Sequence, residues 1–296
     1  MLVKVNIKEK IYDFAEVNKI IEELWSSNEV IKLKEHLGEY LINNERWAGE
    51  DIDKDRCSFT WENLYKKYYE SRPFWTSTRF DEYKCTYKRN GVTKAKYNVF
   101  YGESEVVISG DVLFNFASIR DDKKCGKYEA YRELLEGFDE KKGNYIDILD
   151  FCNEMTYTLH NFGFMPVTGS LQTFKANTGG NLDRLDSYIY WLDNYYEDGL
   201  NKNYIFKNVK LGRNNFSEEE KEKARASIRE RLKQFLAEFN NKIERYCEEM
   251  YLITDSSYIK ELIKFGKEEI KEKEDVVKYM EMAIKYWIMK DKIINP

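Results

Sequence analysis

Histidine is nearly missing from this chain: His36 and His160 are the only two in 296 residues. That scarcity disfavours a metal centre built from several imidazoles, including an intact His-Asn-His nuclease. Proline is almost as rare, with only Pro73, Pro166 and Pro296, so most of the sequence lacks the commonest helix breaker. The cysteines, Cys57, Cys85, Cys125, Cys152 and Cys247, are scattered and never spaced as Cys-x-x-Cys. This argues against a zinc ribbon or a thioredoxin-like motif and for a reduced, cytoplasmic setting. No Gly-Lys-Ser/Thr phosphate loop, no Gly-x-Gly-x-x-Gly and no Gly-x-Ser-x-Gly occurs. Phosphate-loop nucleotide hydrolysis, Rossmann dehydrogenase chemistry and α/β-hydrolase chemistry are thereby disfavoured. No apolar run approaches the roughly 20 residues that span a bilayer. The opening residues, Met1 to Lys8, carry no apolar signal core. The expectation is a soluble intracellular protein. A basic excess is missing too: 48 Lys and Arg against 53 Asp and Glu leave a net charge of −5, unlike a general nucleic-acid binder.

Aromatic residues, by contrast, are abundant. They make up 16% of the chain, with 23 tyrosines and six tryptophans, enough for an aromatic core and for interface anchors wherever Trp and Tyr reach the surface. Apolar periodicity then predicts helices over 8–44, divided at Ser26-Ser27-Asn28, and over 62–71, ended by Arg72-Pro73. Further helices are predicted over 145–160 and 182–196. The clearest starts at Ser217 with Glu220 three residues on, a capping-box pattern, and its apolar face runs from Ala224 to Met250. Val277, Met280, Ile284, Trp287 and Ile288 mark a last helix. Residues 81–109 change period to two. Asn90-Gly91 suits a tight hairpin that sets Arg89 opposite Val92 and Tyr87 opposite Lys94, with Glu105 to Ile108 as a third strand. The fold class read here is mainly α (α+β): one multi-helix domain over 1–296 with a small antiparallel β-hairpin or three-stranded insertion near 81–109. Residues 217–296 are a candidate C-terminal helical subdomain.

Three stretches could carry chemistry. Asp51, Asp53, Asp55 and Glu62 occupy positions one, three, five and twelve of an EF-hand-like calcium loop, but Arg56 stands where that loop needs glycine. The other reading is an acidic loop leading to a helix cap. Lys84, Lys88, Arg89, Lys94 and Lys96 interleave with Tyr83, Tyr87, Tyr97 and Tyr101, a pattern that can grip a nucleic acid or simply protect a strand edge. Finally, Asp147, Asp150 and Glu154 share one face of the 145–160 helix. His160 follows, then Thr168, Ser170 and Lys175, then Asp183, Arg184 and Asp186. Such carboxylates with one histidine could serve as general acid and base or hold Mg²⁺ or Ca²⁺, and Thr168, Ser170 and Lys175 could bind a ligand. The structural alternatives are equally concrete. Asp183 and Asp186 favour a helix N-terminus, Arg184 can pair with Asp150, Glu154 or a carbonyl, and His160 suits a helix C-terminus.

The run Leu159-His-Asn-Phe-Gly-Phe-Met-Pro166, followed by Phe174-Lys175, Asp183-Arg-Leu-Asp186 and Tyr195-Tyr196, resembles a pattern in uncharacterised bacterial and phage proteins. Those carry Ile-Gly-Asn-Phe-x-x-x-Pro before an Asp-containing helix start. The resemblance covers about residues 150–200, and this chain has Leu159-His160 in place of Ile-Gly. It implies a prokaryotic or mobile-element origin, which the Lys, Ile, Asn and Tyr bias of an AT-rich genome also suits, and a setting in phage–host conflict. The functional expectation is therefore a non-enzymatic protein that binds a macromolecular partner. A protein partner is the first choice, with nucleic acid reached through the basic hairpin 84–96, and no cofactor is required. Two alternatives stay open: a metal-dependent hydrolase or nuclease using the carboxylates of 147–186, and a small-ligand or nucleotide sensor using the 168–184 loop.

Overall fold

The computed structural model describes residues 19, 22–36, 65–89, 92–102, 106–116, 145–156, 158–178, 184–197, 204–206, 209, 211 and 217–296; along 80–89 and 92–98 the description is of the backbone. Among these residues the architecture is mainly helical around a four-stranded antiparallel sheet, in strand order β1-β2-β3-β4. The mainly α (α+β) class is as expected, but the sheet has one strand more than the sequence reading supplied.

The described residues 19 and 22–25 are helical, and after the turn at Ser26-Ser27 a helix labelled α1 (Asn28–His36) begins, so the expected break lies where the sequence places it. Ser27 turns its hydroxyl onto the amide of Val30, satisfying a donor that the helix itself leaves open. The chain is helical again at 65–68, leaves that conformation before Pro73, and makes a short 3₁₀ turn at Trp75–Ser77.

Strands β1 (Thr78–Arg89) and β2 (Val92–Tyr101) form the predicted hairpin, and Arg89 lies opposite Val92 as expected. Lys94, however, lies opposite Cys85 rather than Tyr87, because β1 takes up two extra residues between Cys85 and Arg89. Such irregularities are invisible to an alternation pattern, since a two-residue insertion leaves the period unchanged. Strand β3 (Val106–Val112) runs further than the expected Glu105 to Ile108.

The main departure lies beyond it. Helix α2 (Tyr145–Met155) stops five residues short of the predicted end. The Thr156 hydroxyl bonds back to the Cys152 carbonyl as the helix closes, a 3₁₀ turn covers Leu159–Asn161, and β4 (Phe162–Pro166) follows. Strand β4 pairs with β3 from Ile108↔Pro166 to Val112↔Phe162. Five apolar residues buried throughout carry no period to read, and their partner strand lies some fifty residues earlier in the chain. Proline is tolerated here because it ends the strand.

Helices α3 (Leu171–Thr178) and α4 (Leu185–Tyr196) follow. Helix α5 (Glu218–Ala237) starts with the predicted capping box between Ser217 and Glu220. It does not continue to Met250: Asn240 and Asn241 both adopt positive φ, and a separate α6 (Ile243–Tyr251) begins after them. Asparagine visits that left-handed region at less cost than most residues, so the Asn-Asn pair is a natural stop. Helices α7 (Ser256–Gly266) and α8 (Lys273–Ile294) complete the described chain.

Helix α8 is the central post. Every residue from Asp275 to Ile284 is buried, and the helix packs against α1, α2 and the 159–161 turn. Helix α7 lies along α4, and α6 crosses β4. The aromatic surplus fills this interior. Trp75 sits 4.7 Å from Phe164 between ring centroids, Tyr69 and Tyr65 pack edge-on to both, and Phe74, Phe235 and Phe239 extend the cluster. Ile31 is the only large hydrophobic among the described residues that is well exposed. Among the described residues no Trp or Tyr is well exposed: they are buried or, like Trp25, Tyr68 and Trp191, partly buried against the core, while the side chains of Tyr83, Tyr87 and Tyr97 are not described. No helix among the described residues is long and apolar enough to cross a membrane.

Candidate functional site

The described residues among those singled out between 145 and 196 do not gather into one constellation. Each described one that is buried has its own structural partner. His160 is fully buried in the 3₁₀ turn, and its Nε2 lies 2.9 Å from Asp291 Oδ1 near the end of α8. The same carboxylate oxygen accepts from Asn295 Nδ2 at 2.7 Å. Next to it, the Asn161 side chain makes four hydrogen bonds. Its amide donates to the carbonyls of Phe114 (2.6 Å) and Thr156 (2.9 Å). Its oxygen accepts from the Phe114 amide (3.1 Å) and Trp287 Nε1 (3.0 Å). The carbonyl of Phe162 in turn accepts from Lys290 Nζ. Three consecutive residues, 160 to 162, are thus latched one by one to Asp291, Trp287 and Lys290 on α8. Burial pushes the Lys290 ammonium down to about 7.

Lys175 of α3 is buried against β3, where its Nζ donates to the Val112 carbonyl and pairs with Asp111 Oδ2 at 2.7 Å. Thr168 receives the Val107 amide on its hydroxyl at 2.8 Å, so it closes the end of the β3–β4 ladder. Ser170 belongs to the same short turn, Thr168–Ser170. Arg184 and Asp186 are brought together as a buried fork: the guanidinium pairs with both carboxylate oxygens. It also donates to the Glu268 carbonyl at 2.7 Å and the Phe265 carbonyl at 3.2 Å, and lies over the Phe265 ring at 5.0 Å. The expected carbonyl pairing of Arg184 is present, while its described partners do not include Asp150 or Glu154. Those two sit on α2, Asp150 half-buried and Glu154 exposed. Asp183 lies outside the described residues, as do Asp51, Asp53, Asp55 and Glu62. Among the described residues no group of three His, Cys, Asp or Glu side chains could hold a metal ion.

Sequence reading missed the partners rather than the buried residues themselves. Asp111, Asp291 and Lys290 carried no local signal, because each meets its counterpart across more than sixty positions of chain. Others were in principle readable. Lys278 and Lys285 flank Glu281 at helical spacings of three and four, and both reach Glu261 of α7. Glu249 is buried between Arg72 (3.3 Å) and Arg245 (2.7 Å), tying the 65–77 segment to α6. Among the described residues, the half-buried Asp193 carboxyl is shifted upward, to about 6, first by burial and then by the charges of Glu197 and Glu244.

A second candidate has a different character. Strand β2 pairs with β3 only through Val99, Phe100 and Tyr101, whereas β1 and β2 stay paired out to Arg89 and Val92. The described part of β2 from Val92 to Asn98 therefore runs past the shared sheet as a two-stranded ribbon, about 23 Å long at about 3.3 Å per residue. Charge is segregated along it. Asp81 and Glu82 stand at its base, opposite Asn98 and Tyr97, while residues 83–97 contain Lys84, Lys88, Arg89, Lys94 and Lys96 and no acidic residue. No protein-family profile matches the chain, and neither a curated protein nor a solved structure shows significant similarity to it.

Proposed function

We propose that this chain is a binding protein whose contact element is the β1–β2 ribbon, working in a bacterial or phage cytoplasm within phage–host conflict. The observation that carries the reading is the ribbon's departure from the sheet. A hairpin that only completed a core would stay in register with β3, but this one leaves it after three pairs. The candidate chemical groups of 160–186 support the same reading, because His160, Lys175, Arg184 and Asp186 are engaged in buried pairs that hold the 159–161 turn to α8, α3 to β3 and the start of α4 to the end of α7. A side chain so engaged is poorly placed to exchange protons with a substrate.

The test removes the ribbon and keeps the sheet. Glu82 and Tyr97 are register partners, so an Asn-Gly turn can join them in place of residues 83–96. The shortened chain should keep its melting temperature and lose the macromolecule that the full chain retains from a cell extract. Full retention by the shortened chain overturns the proposal.

A further inference from the structure

The chain as a whole is acidic, with a net charge of −5, yet the outer part of the ribbon concentrates five basic residues and no acidic one. Lysine is a usual guard of a strand edge, but edge protection alone does not require that the carboxylates be confined to the base, where Asp81 and Glu82 stand. The placement is also directional. Lys88 and Arg89 immediately precede the chain reversal and Lys94 and Lys96 follow it, while the two acidic residues lie at the base beside the sheet. A polyanion approaching the molecule is repelled by the bulk of the chain and attracted by this one end.

We infer that the ribbon binds double-stranded DNA, its outer end entering the major groove and its basic residues neutralising flanking phosphates. This rests on the reading of the ribbon as the contact element and names its partner. A two-stranded antiparallel ribbon matches the roughly 12 Å width of the B-form major groove, and strands are used there by known classes of reader. The major groove of duplex RNA is too deep and narrow to admit it. A single strand offers no groove for a ribbon to enter and would rely chiefly on stacking of its bases against aromatic side chains.

The experiment is fluorescence anisotropy of the full chain with a labelled DNA duplex, the matching RNA duplex and the single DNA strand, between ~50 and ~200 mM salt. The parent should prefer duplex DNA, with log affinity falling against log salt at a slope of about −4 if its basic residues each meet a phosphate. The double variants K88E/R89E and K94E/K96E should each bind at least ~10-fold more weakly and lose about two units of that slope. Both should melt as the parent does, and the exposed control Lys260→Glu should bind normally. No binding at ~50 mM salt, equal affinity for the RNA duplex or the single strand, or ribbon variants that bind like the parent would each overturn the inference. If it fails while the shortened chain still loses its cellular partner, the ribbon remains the contact element for something other than DNA. If the shortened chain keeps that partner, the ribbon reading falls as well.

Discussion

Lys290 shows what burial does to a single charged residue in this protein. It is 1% exposed, donates to the Phe162 carbonyl and lies 5.5 Å from the Tyr286 ring centre. Its ammonium is pushed down to about 7 by lost hydration, against about 10.4 in an unfolded chain. Folding therefore releases a proton between those limits. The stabilisation associated with the neutral amine is present in full above about pH 10.4 and is lost as pH falls through 7. Thermal melts between ~pH 7 and ~pH 9 should show a rise in Tm that is flatter in Lys290→Met. Equal slopes in parent and variant would show that Lys290 is not the group responsible. At this scale the sequence was informative about identity and silent about pairing. His160 and Arg184 were recognisable as residues at a polar junction. Their partners, Asp291 for one and Asp186 with two carbonyls for the other, depended on which helix ends the fold brings beside them.

Among the elements, α4 and α7 approach most closely at Gly266. A Cβ there would collide with the Asp186 carbonyl and come within 2.9 Å of Tyr190 Cβ. Gly266→Ala should therefore cost about 1–3 kcal/mol, since backbone cannot step aside as a flexible side chain does. Differential scanning calorimetry reporting an unchanged Tm would refute that close approach. Local signals located most helices: the Ser26-Ser27-Asn28 break, the capping box at Ser217 and the proline stop at Pro73 all act within a few residues. They failed where two local patterns competed. The apolar spacing of 224–250 ran through Asn240 and Asn241 without pause, and only the positive φ of those residues divides α5 from α6. Strand β4 lies just past the predicted 145–160 helix, in residues to which no element was assigned, because its value lies in pairing with β3, a contact that no window of neighbouring residues contains.

For the molecule as a whole, the C-terminal helices are built into the rest. Tyr69 and Trp75 donate to the carbonyls of Met250 and Glu249, and α8 holds the 160–162 latch. Circular dichroism and tryptophan fluorescence are thus expected to report one coincident unfolding transition. An earlier, separate transition confined to 217–296 would mean that those residues form the independent subdomain considered from the sequence. The sequence by itself determined the composition of the interior, the mainly helical class, most helix starts and the basic character of the hairpin, because each follows from residue type and short-range spacing. The tertiary structure alone decided that most of the described aromatic residues pack into the interior, that the polar junction is a set of buried pairs, and that the hairpin leaves the sheet as a ribbon. Those outcomes depend on desolvation and on contacts between distant segments, whose energies exist only once the chain has brought the segments together.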